Sequence, residues 1–451
     1  MNPLHKQTFS PTPHISRRAQ LMREMQALGG GVALIPTALE VTRNADSHYD
    51  FRPDSTFFYL TGFVEPEALL VLIATQNECK SILFCRTKNE TREIWDGYRF
   101  GPLAAQSHFA VDEALPMEEL ATHLPKLLAN QPAIFAPLLE NSAIDIILRD
   151  ALNAARAASR SGATAPATLR DVYALTDEMR LHKDADELAW LRAAGQISAA
   201  GHVKAMQTCR VGMVETDLEA EILYSFARAG AQHAAYSSIV ATGANACVLH
   251  YRAGLSPLKD GDLCLIDAGA EYGYYAGDIT RTFPVNGKFS APQRAVYEVV
   301  LAAQQAAIDA TRIGATFIAP HDAAVRVLTQ GLLDLGLLKG NLEDAIANRA
   351  YQPFYMHRTG HWIGLDVHDC GAYSAGQADG QPIWRTLQSG MMLTVEPGLY
   401  IRPAADVPEK YWNIGIRIED DCIVTDDGCE LTTRDAPVTI NEIEYVMKHG
   451  N

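Results

Sequence analysis

The chain is predicted to be an α+β protein built in two parts, and three patterns carry that prediction. Residues from about 14 to 173 alternate helical and strand signals, an α/β arrangement. From 174 to 451, long helical stretches are followed by apolar runs that read as hairpins, which favours α+β over a parallel sheet. Within that second part, four acids and one histidine stand at the ends of core-like strands.

The elements follow in order. A helix is expected near His14 to Leu28, with strands at Gly31 to Ile35, Leu69 to Ala74 and Ser81 to Phe84. Amphipathic stretches lie near Met117 to Leu128 and Ala143 to Ala158. The segment Ala157 to Pro166, rich in Ala, Ser and Gly, is the best linker candidate. Beyond it, Asp184 or Asp186 can cap a long helix whose apolar stripe runs through Leu188, Leu191, Ala194, Ile197 and Ala200-Gly201 toward Gly212. Further helices are expected over Thr216 to Ala229, Pro292 to Thr311 and Asp322 to Leu335. The boundary between the parts is set at 173/174.

The acids mark out the chemistry. Asp267 ends the buried-strand run Leu263-Cys264-Leu265-Ile266 and is followed by Ala268-Gly269. Asp278 comes about eleven residues later, after a Gly-rich and aromatic stretch that looks like a hairpin turn. A bulge in that turn would leave open which face each aspartate takes. Glu396 follows Met391-Met392-Leu393-Thr394-Val395 and precedes the turn signal Pro397-Gly398. Glu419 interrupts Ile414-Gly415-Ile416-Arg417-Ile418, where alternation puts it on one face with Arg417, opposite Ile416 and Ile418.

Each piece alone has a plainer reading: a strand-end aspartate facing water, or a surface ion pair. The whole set, with His357, His361 and His368 between its halves, outweighs it. Converging carboxylates repel one another and cannot all stay ionised without cations. Two divalent ions would balance them. Oxygen donors with one imidazole suit Mn²⁺, Co²⁺, Zn²⁺ or Fe²⁺ and exclude a thiolate-type structural zinc site. The pattern therefore points to a dinuclear metallohydrolase.

Length and composition agree. A chain of 451 residues is long for one core, and 48% hydrophobic with 20% charged residues describes a globular protein. The formal charge of −16 argues against nucleic acid or an anionic membrane as partner. Eight cysteines with no CxxC pair suggest reduced thiols rather than a disulfide framework. Met1 to Ser10 lacks the apolar core of a secretory signal and no run is long enough to span a bilayer, so the expected location is the cytoplasm.

Taken together, Ile266 to Gly269, Gly277 to Asn286, His361 to Asp369, Leu393 to Tyr400 and Gly415 to Asp420 resemble the Xaa-Pro aminopeptidases (aminopeptidase P) of the pita-bread metallopeptidase class. The similarity covers nearly all of the chain, including Val41 to Ser47 and Phe57 to Phe63. Methionine aminopeptidases and prolidases share the order Asp, Asp, His, Glu, Glu, so that order alone gives only the class. The resemblance implies a C-terminal pita-bread (creatinase/aminopeptidase) fold after an N-terminal α/β creatinase-like domain serving oligomerisation and site access.

It also implies two divalent metal ions, Mn²⁺ by preference. Asp278 and Glu419 would bridge them, Asp267 would bind one, and His361 and Glu396 the other. A hydroxide between the metals would attack the peptide bond ahead of proline in Xaa-Pro-Xaa peptides, with Glu396 relaying the proton. An X–Pro bond has no N–H, so the site must hold the ring and protonate a secondary amine. His250 and His368 match positions for hydrogen bonding to substrate and transition state, and His357 the pocket wall. Arg417 and Tyr400 would orient Asp267, and Trp95 resembles an N-terminal-domain tryptophan that reaches an active site. A homo-oligomer, tetramer or dimer, is implied.

The alternatives are a prolidase restricted to dipeptides, a metal-free creatinase-like hydrolase and a non-catalytic peptide-binding module. The complete ligand set speaks against the last two. One departure from the family pattern is Arg358-Thr359-Gly360, where small, uncharged or apolar residues are expected. An arginine there bears on specificity, favouring an anionic tail, and leaves the ligands untouched. Arg385, after Ile383-Trp384, is either a surface residue or part of the mouth.

Overall fold

The computed structural model describes residues 9–139 and 142–450, and the chain divides into two compact units between Met179 and Arg180. Most of Met1 to Ser10 thus lies outside the described residues. In the first unit a mixed sheet is built from β1 (Gly31–Pro36), β2 (Leu69–Ala74), β3 (Cys79–Cys85), β4 (Glu113–Pro116), β5 (Ala133–Ala136) and β6 (Thr168–Asp171). The order across it is β4-β3-β2-β1-β5-β6. The pairs β1/β2 and β2/β3 are antiparallel; β1/β5, β5/β6 and β3/β4 are parallel.

All of β1 and β2 is buried, as the unbroken apolar runs foretell for central strands. Helices α1 (Thr12–Ala27), α2 (Leu120–Leu128) and α3 (Ser142–Ala157) cover the sheet. Leu120, Leu124 and Leu128 of α2 and Leu148 and Leu152 of α3 meet Val32, Leu34, Val71 and Phe84 in one core. The Ala-Ser-Gly stretch is a correction to the expected linker. It is a 3₁₀ turn at Ala158–Ser161 leading into β6, which pairs with β5 inside this unit.

The second unit opens with α4 (Ala185–Thr208), capped by Asp184 in a reciprocal box with Glu187. Leu191, Ala194, Ile197 and Gly201 are buried as the stripe requires, but Ala199 turns inward where Ala200 was expected. α5 (Glu215–Ala229), α6 (Ala291–Ala310), α7 (Ala319–Asp334) and α8 (Ile440–His449) complete the long helices. No helix among the described residues is long and apolar enough to cross a membrane. All eight cysteines are free thiols.

Antiparallel strands carry the acids. β7 (Ile239–Thr242), β8 (Leu263–Asp267) and β9 (Thr280–Pro284) form one sheet, with Asp267 opposite Thr280. A second sheet joins β10 (Met392–Val395), β13 (Asp420–Thr425) and β14 (Gly428–Leu431), and β11 (Gly398–Ile401) pairs with β12 (Ile414–Arg417). The expected hairpin between Asp267 and Asp278 is a small separate one, Ala270–Tyr272 with Tyr275–Ala276. Gly273 and Tyr274 turn it, both at positive φ, as a type I′ turn demands.

Candidate metal centre

Asp267, Asp278, His361, Glu396, Arg417 and Glu419 all line one cavity of about 1010 Å³ in the second unit. Local chain geometry explains how they converge. A Cβ on Gly269 would lie 1.6 Å from the Gly277 carbonyl oxygen, so only glycine lets the two aspartate-bearing segments cross. The Asp278 N–H donates to the Asp421 carboxylate at 2.9 Å, fixing the segment from behind. On the other wall, the Glu396 N–H donates to the Thr359 carbonyl and the Thr394 N–H to that of His361. Gly360 lies so near Thr394 that a Cβ would come within 2.1 Å of its carbonyl oxygen.

The alternation seen along β12 holds past its end. Ile416 and Ile418 are fully buried in the apolar core, while Arg417 and Glu419 face the cavity. Arg417 does not pair with Glu419. Its guanidinium donates to Asp267 (2.5 Å), to the Tyr400 hydroxyl (2.9 Å) and to Thr280 Oγ1 (3.1 Å). Thr280 Oγ1 in turn donates to Glu419 at 2.6 Å.

Asp278, His361 and Glu419 each present one ligand atom within 4.8 Å of the others. His361 Nδ1 faces the Trp362 carbonyl at 3.0 Å and is therefore the protonated nitrogen. This aims the Nε2 lone pair at Asp278 Oδ2, 3.4 Å away, and Glu396 Oε1, 3.9 Å away. A lone pair facing carboxylates at that range needs a proton or a cation between them. The Tyr236 hydroxyl poses the same demand. It stands 2.5 Å from Asp267 and 2.6 Å from Asp278, yet has one proton to donate.

The titration behaviour agrees. Burial pushes Glu396 up to about 7, against the pull of the His361 and Arg417 cations. Burial and then Asp278 hold Glu419 well above the usual carboxylate range, and burial raises Asp278 as well. Without added positive charge the site would fill with protons. Arg417 alone is too little countercharge, and a carboxylate-rich set with one imidazole is chemically suited to divalent metal. The residues present fit a metal site.

The surrounding histidines divide. His357 Nδ1 donates to the Arg358 carbonyl (2.7 Å), so its Nε2 accepts from the Tyr400 hydroxyl (2.8 Å). Burial and then Arg417 hold His357 neutral, its pKa lowered to about 3. His250 and His368 are exposed on the cavity wall, and the His368 ring meets that of His361 edge-on at 4.3 Å. Next to His368, Asp369 is buried between Arg180 (2.6 Å) and Lys183 (2.9 Å), which anchors that loop. Arg385 is half-buried and its Nε donates to the Ala372 carbonyl. Trp95 belongs to the first unit, on the short helix Glu90–Asp96, with 81% of its surface accessible.

Sequence reasoning missed Tyr236, Thr280, Asp421 and the hairpin Ser374–Ala378/Gln381–Trp384, whose Trp384 lines the cavity. Tyr236 sits next to no recognisable run, whereas Asp421 directly follows the Gly415 to Asp420 segment and opens the run Cys422-Ile423-Val424. Thr280 lies inside the Gly277 to Asn286 segment, two residues after Asp278, a spacing that signals a hydroxyl facing the same way.

This fold and this acid-lined cavity are those of a metallopeptidase. The model of metallopeptidase family M24 matches residues 189–426, that of the aminopeptidase P N-terminal domain matches residues 14–135, and the chain belongs to family M24. The second unit has the pita-bread fold and the first is the aminopeptidase P N-terminal domain. Over 432 residues the chain is 47% identical to the Xaa-Pro aminopeptidase of Escherichia coli K12, covering 96% of each. The solved structure of Pseudomonas aeruginosa aminopeptidase PepP superposes with a TM-score of 0.94 at 44% identity, covering 98% of this chain and 99% of that one. Aminopeptidase P from E. coli with the inhibitor Pro-Leu superposes equally well, TM-score 0.94 at 45% identity, over 98% and 99% of the chains.

Proposed function

We propose that this protein is a metal-dependent Xaa-Pro aminopeptidase, which hydrolyses the bond between an N-terminal residue and a following proline in Xaa-Pro-Xaa peptides. The observation that carries it is the convergence of Asp267, Asp278, His361, Glu396 and Glu419 on one cavity, in a chain with near full-length Xaa-Pro aminopeptidase relatives. The cavity, about 1010 Å³, has room beyond a dipeptide. The inhibitor Pro-Leu of the E. coli relative has the composition of a substrate remnant after the scissile bond.

In this reading Asp278 and Glu419 would serve both of two divalent ions, Mn²⁺ being the first candidate, while Asp267 would hold one and His361 and Glu396 the other. The ions, when bound, would supply countercharge and make a bound water acidic enough to serve as nucleophile. The chain's own groups do the rest. Glu396, beside the bound water, would carry a proton from it toward the proline nitrogen. His250 and His368 hydrogen-bond the peptide and the developing oxyanion. Arg417, backed by Tyr400, holds Asp267 in orientation, and neutral His357 walls the proline pocket.

The N-terminal domain, taken as residues 1–173 before a catalytic domain of 174–451, serves oligomerisation and access to the site. Trp95, exposed on it, would contact substrate in a homo-oligomer, tetramer or dimer. Free thiols throughout support a cytoplasmic location. Nucleic acid and membranes are not partners in this reading. A panel of Ala-Pro, Ala-Pro-Gly and Ala-Ala-Gly tests it: cleavage of Ala-Pro-Gly is expected, with release of alanine. Cleavage of the dipeptide alone would make the protein a prolidase.

A further inference from the structure

Arg358 stands on the bridge between His357 and His361 and lines the cavity. Its guanidinium carbon lies 5.1 Å from the centroid of the Trp384 ring, which lines the same cavity from the second strand of the Ser374–Trp384 hairpin. Stacking on the indole restricts the long side chain to the wall and leaves the fork of N–H donors free. Among the described residues no carboxylate pairs with this guanidinium. The ionisable groups of the adjoining wall are His321, His357 and Tyr373, none of them an anion near neutral pH. Arg252 differs: it lines the cavity too, but its charge acts on Glu219.

The cavity is therefore polar along its length. Asp267, Asp278, Glu396 and Glu419 form its acidic end, and an unpartnered cation waits on the wall formed with Trp384. A peptide has the complementary polarity, an amine at its N-terminus and a carboxylate at its C-terminus. A guanidinium fork matches a carboxylate in two parallel N–H···O bonds.

We propose that Arg358 is a specificity residue that binds a carboxylate lying beyond the proline of the substrate. That group is the C-terminal carboxylate of a tripeptide or an acidic side chain at the residue after proline. The inference rests on the proposed peptidase activity and names the part of the substrate that activity leaves undefined. Arg358 touches neither the scissile bond nor the acids, so its effect falls on KM more than on kcat.

The test uses the full-length, metal-loaded protein and two pairs of peptides: Ala-Pro-Gly with free acid or amide terminus, and Ala-Pro-Asp and Ala-Pro-Lys as amides. The wild type is expected to favour the Ala-Pro-Gly acid over its amide by about tenfold in kcat/KM, through KM. A preference for the Ala-Pro-Asp amide over the Ala-Pro-Lys amide identifies the side chain as an accepted source. R358Q should bring the acid down to the level of the amide, R358K should restore part of the difference, and R252Q should keep it. An unchanged preference in R358Q, or equal loss in R358Q and R252Q, overturns the proposal, the latter pointing to a diffuse field. If the wild type cleaves none of the peptides, the peptidase assignment falls and this inference with it. Equal cleavage of all of them leaves the assignment standing and overturns only the role of Arg358.

Discussion

The Arg281 guanidinium and the Asp420 carboxylate meet 2.8 Å apart with both side chains fully buried. Asp420 also accepts from Gln304 (2.9 Å), Thr433 (2.7 Å) and Arg434 (2.9 Å), while Arg281 donates to the carbonyls of Thr280 and Glu419. This pair ties the strand after Asp278 to the residue after Glu419, directly behind the metal centre. Removing Asp420 leaves the buried Arg281 without a carboxylate partner, and removing Arg281 leaves the buried Asp420 only the partly exposed Arg434. Asp420→Asn and Arg281→Met should each lower unfolding free energy by about 3–5 kcal/mol. Denaturant unfolding of the metal-free proteins reads this, and a change below about 1 kcal/mol would contradict it.

The crossing at Gly269 makes a sharper demand. A methyl group there meets the Gly277 carbonyl oxygen at 1.6 Å, a distance no side-chain adjustment relieves because both partners are backbone. Gly269→Ala must push the Asp267 and Asp278 segments apart. Bound metal per chain should fall severalfold, and activity with it. Retention of full metal content would mean that the segments need not cross so closely.

Glu215 is buried, and its two oxygens accept from the Thr242 N–H, Asn245 Nδ2, the Tyr251 hydroxyl and the Gly254 N–H. These donors bracket His250, so Glu215 positions the loop that carries it. In Glu215→Gln an amide NH₂ must face donors on one side. The expected cost is about 2 kcal/mol of stability, with reduced kcat at unchanged metal content. A variant with wild-type kcat and stability would remove Glu215 from any positioning role.

Proton binding predicts how metal stabilises the fold across pH. In the metal-free chain Glu396 titrates at about 7, raised from 4.5 by burial despite His361 and Arg417. Burial acts to lower His361, but its hydrogen bond and ion pair with Asp278 prevail and raise it from 6.5 to about 9. Both groups bind protons more tightly folded than unfolded. The stability they contribute is complete below their unfolded values and is lost as pH rises through 7 and then 9. Metal replaces those protons, so the rise in Tm on adding Mn²⁺ should grow from about pH 4.5 to pH 9. A constant or shrinking increment in matched thermal scans would contradict this.

Much of the site was legible because an acid that ends an apolar strand violates the pattern around it. Asp267, Glu396 and Glu419 announce themselves in that way, and alternation assigned Arg417 and Glu419 to one face correctly. Tyr236 and Glu215 carry no such mark, since their partners arrive from distant segments and only the assembled fold brings donor to acceptor. The Ala157 to Pro166 stretch misled for a related reason. Its composition reports local freedom, whereas the pairing of Thr168–Asp171 with Ala133–Ala136 is decided across the sheet. Likewise Ala199 and Ala200 are chemically alike, and only the rotation of α4 in its packing decides which one is buried.

The most direct test of the account is metal stoichiometry read together with activity. The purified protein is chelated, dialysed and titrated with Mn²⁺ while bound metal and hydrolysis of Ala-Pro-Gly are followed, beside Asp278→Ala. The wild type should lose activity on chelation, bind two ions per chain and recover, and the variant should neither hold the pair nor cleave. Undiminished hydrolysis by wild-type protein free of measurable metal would contradict the account, as would a fully active Asp278→Ala.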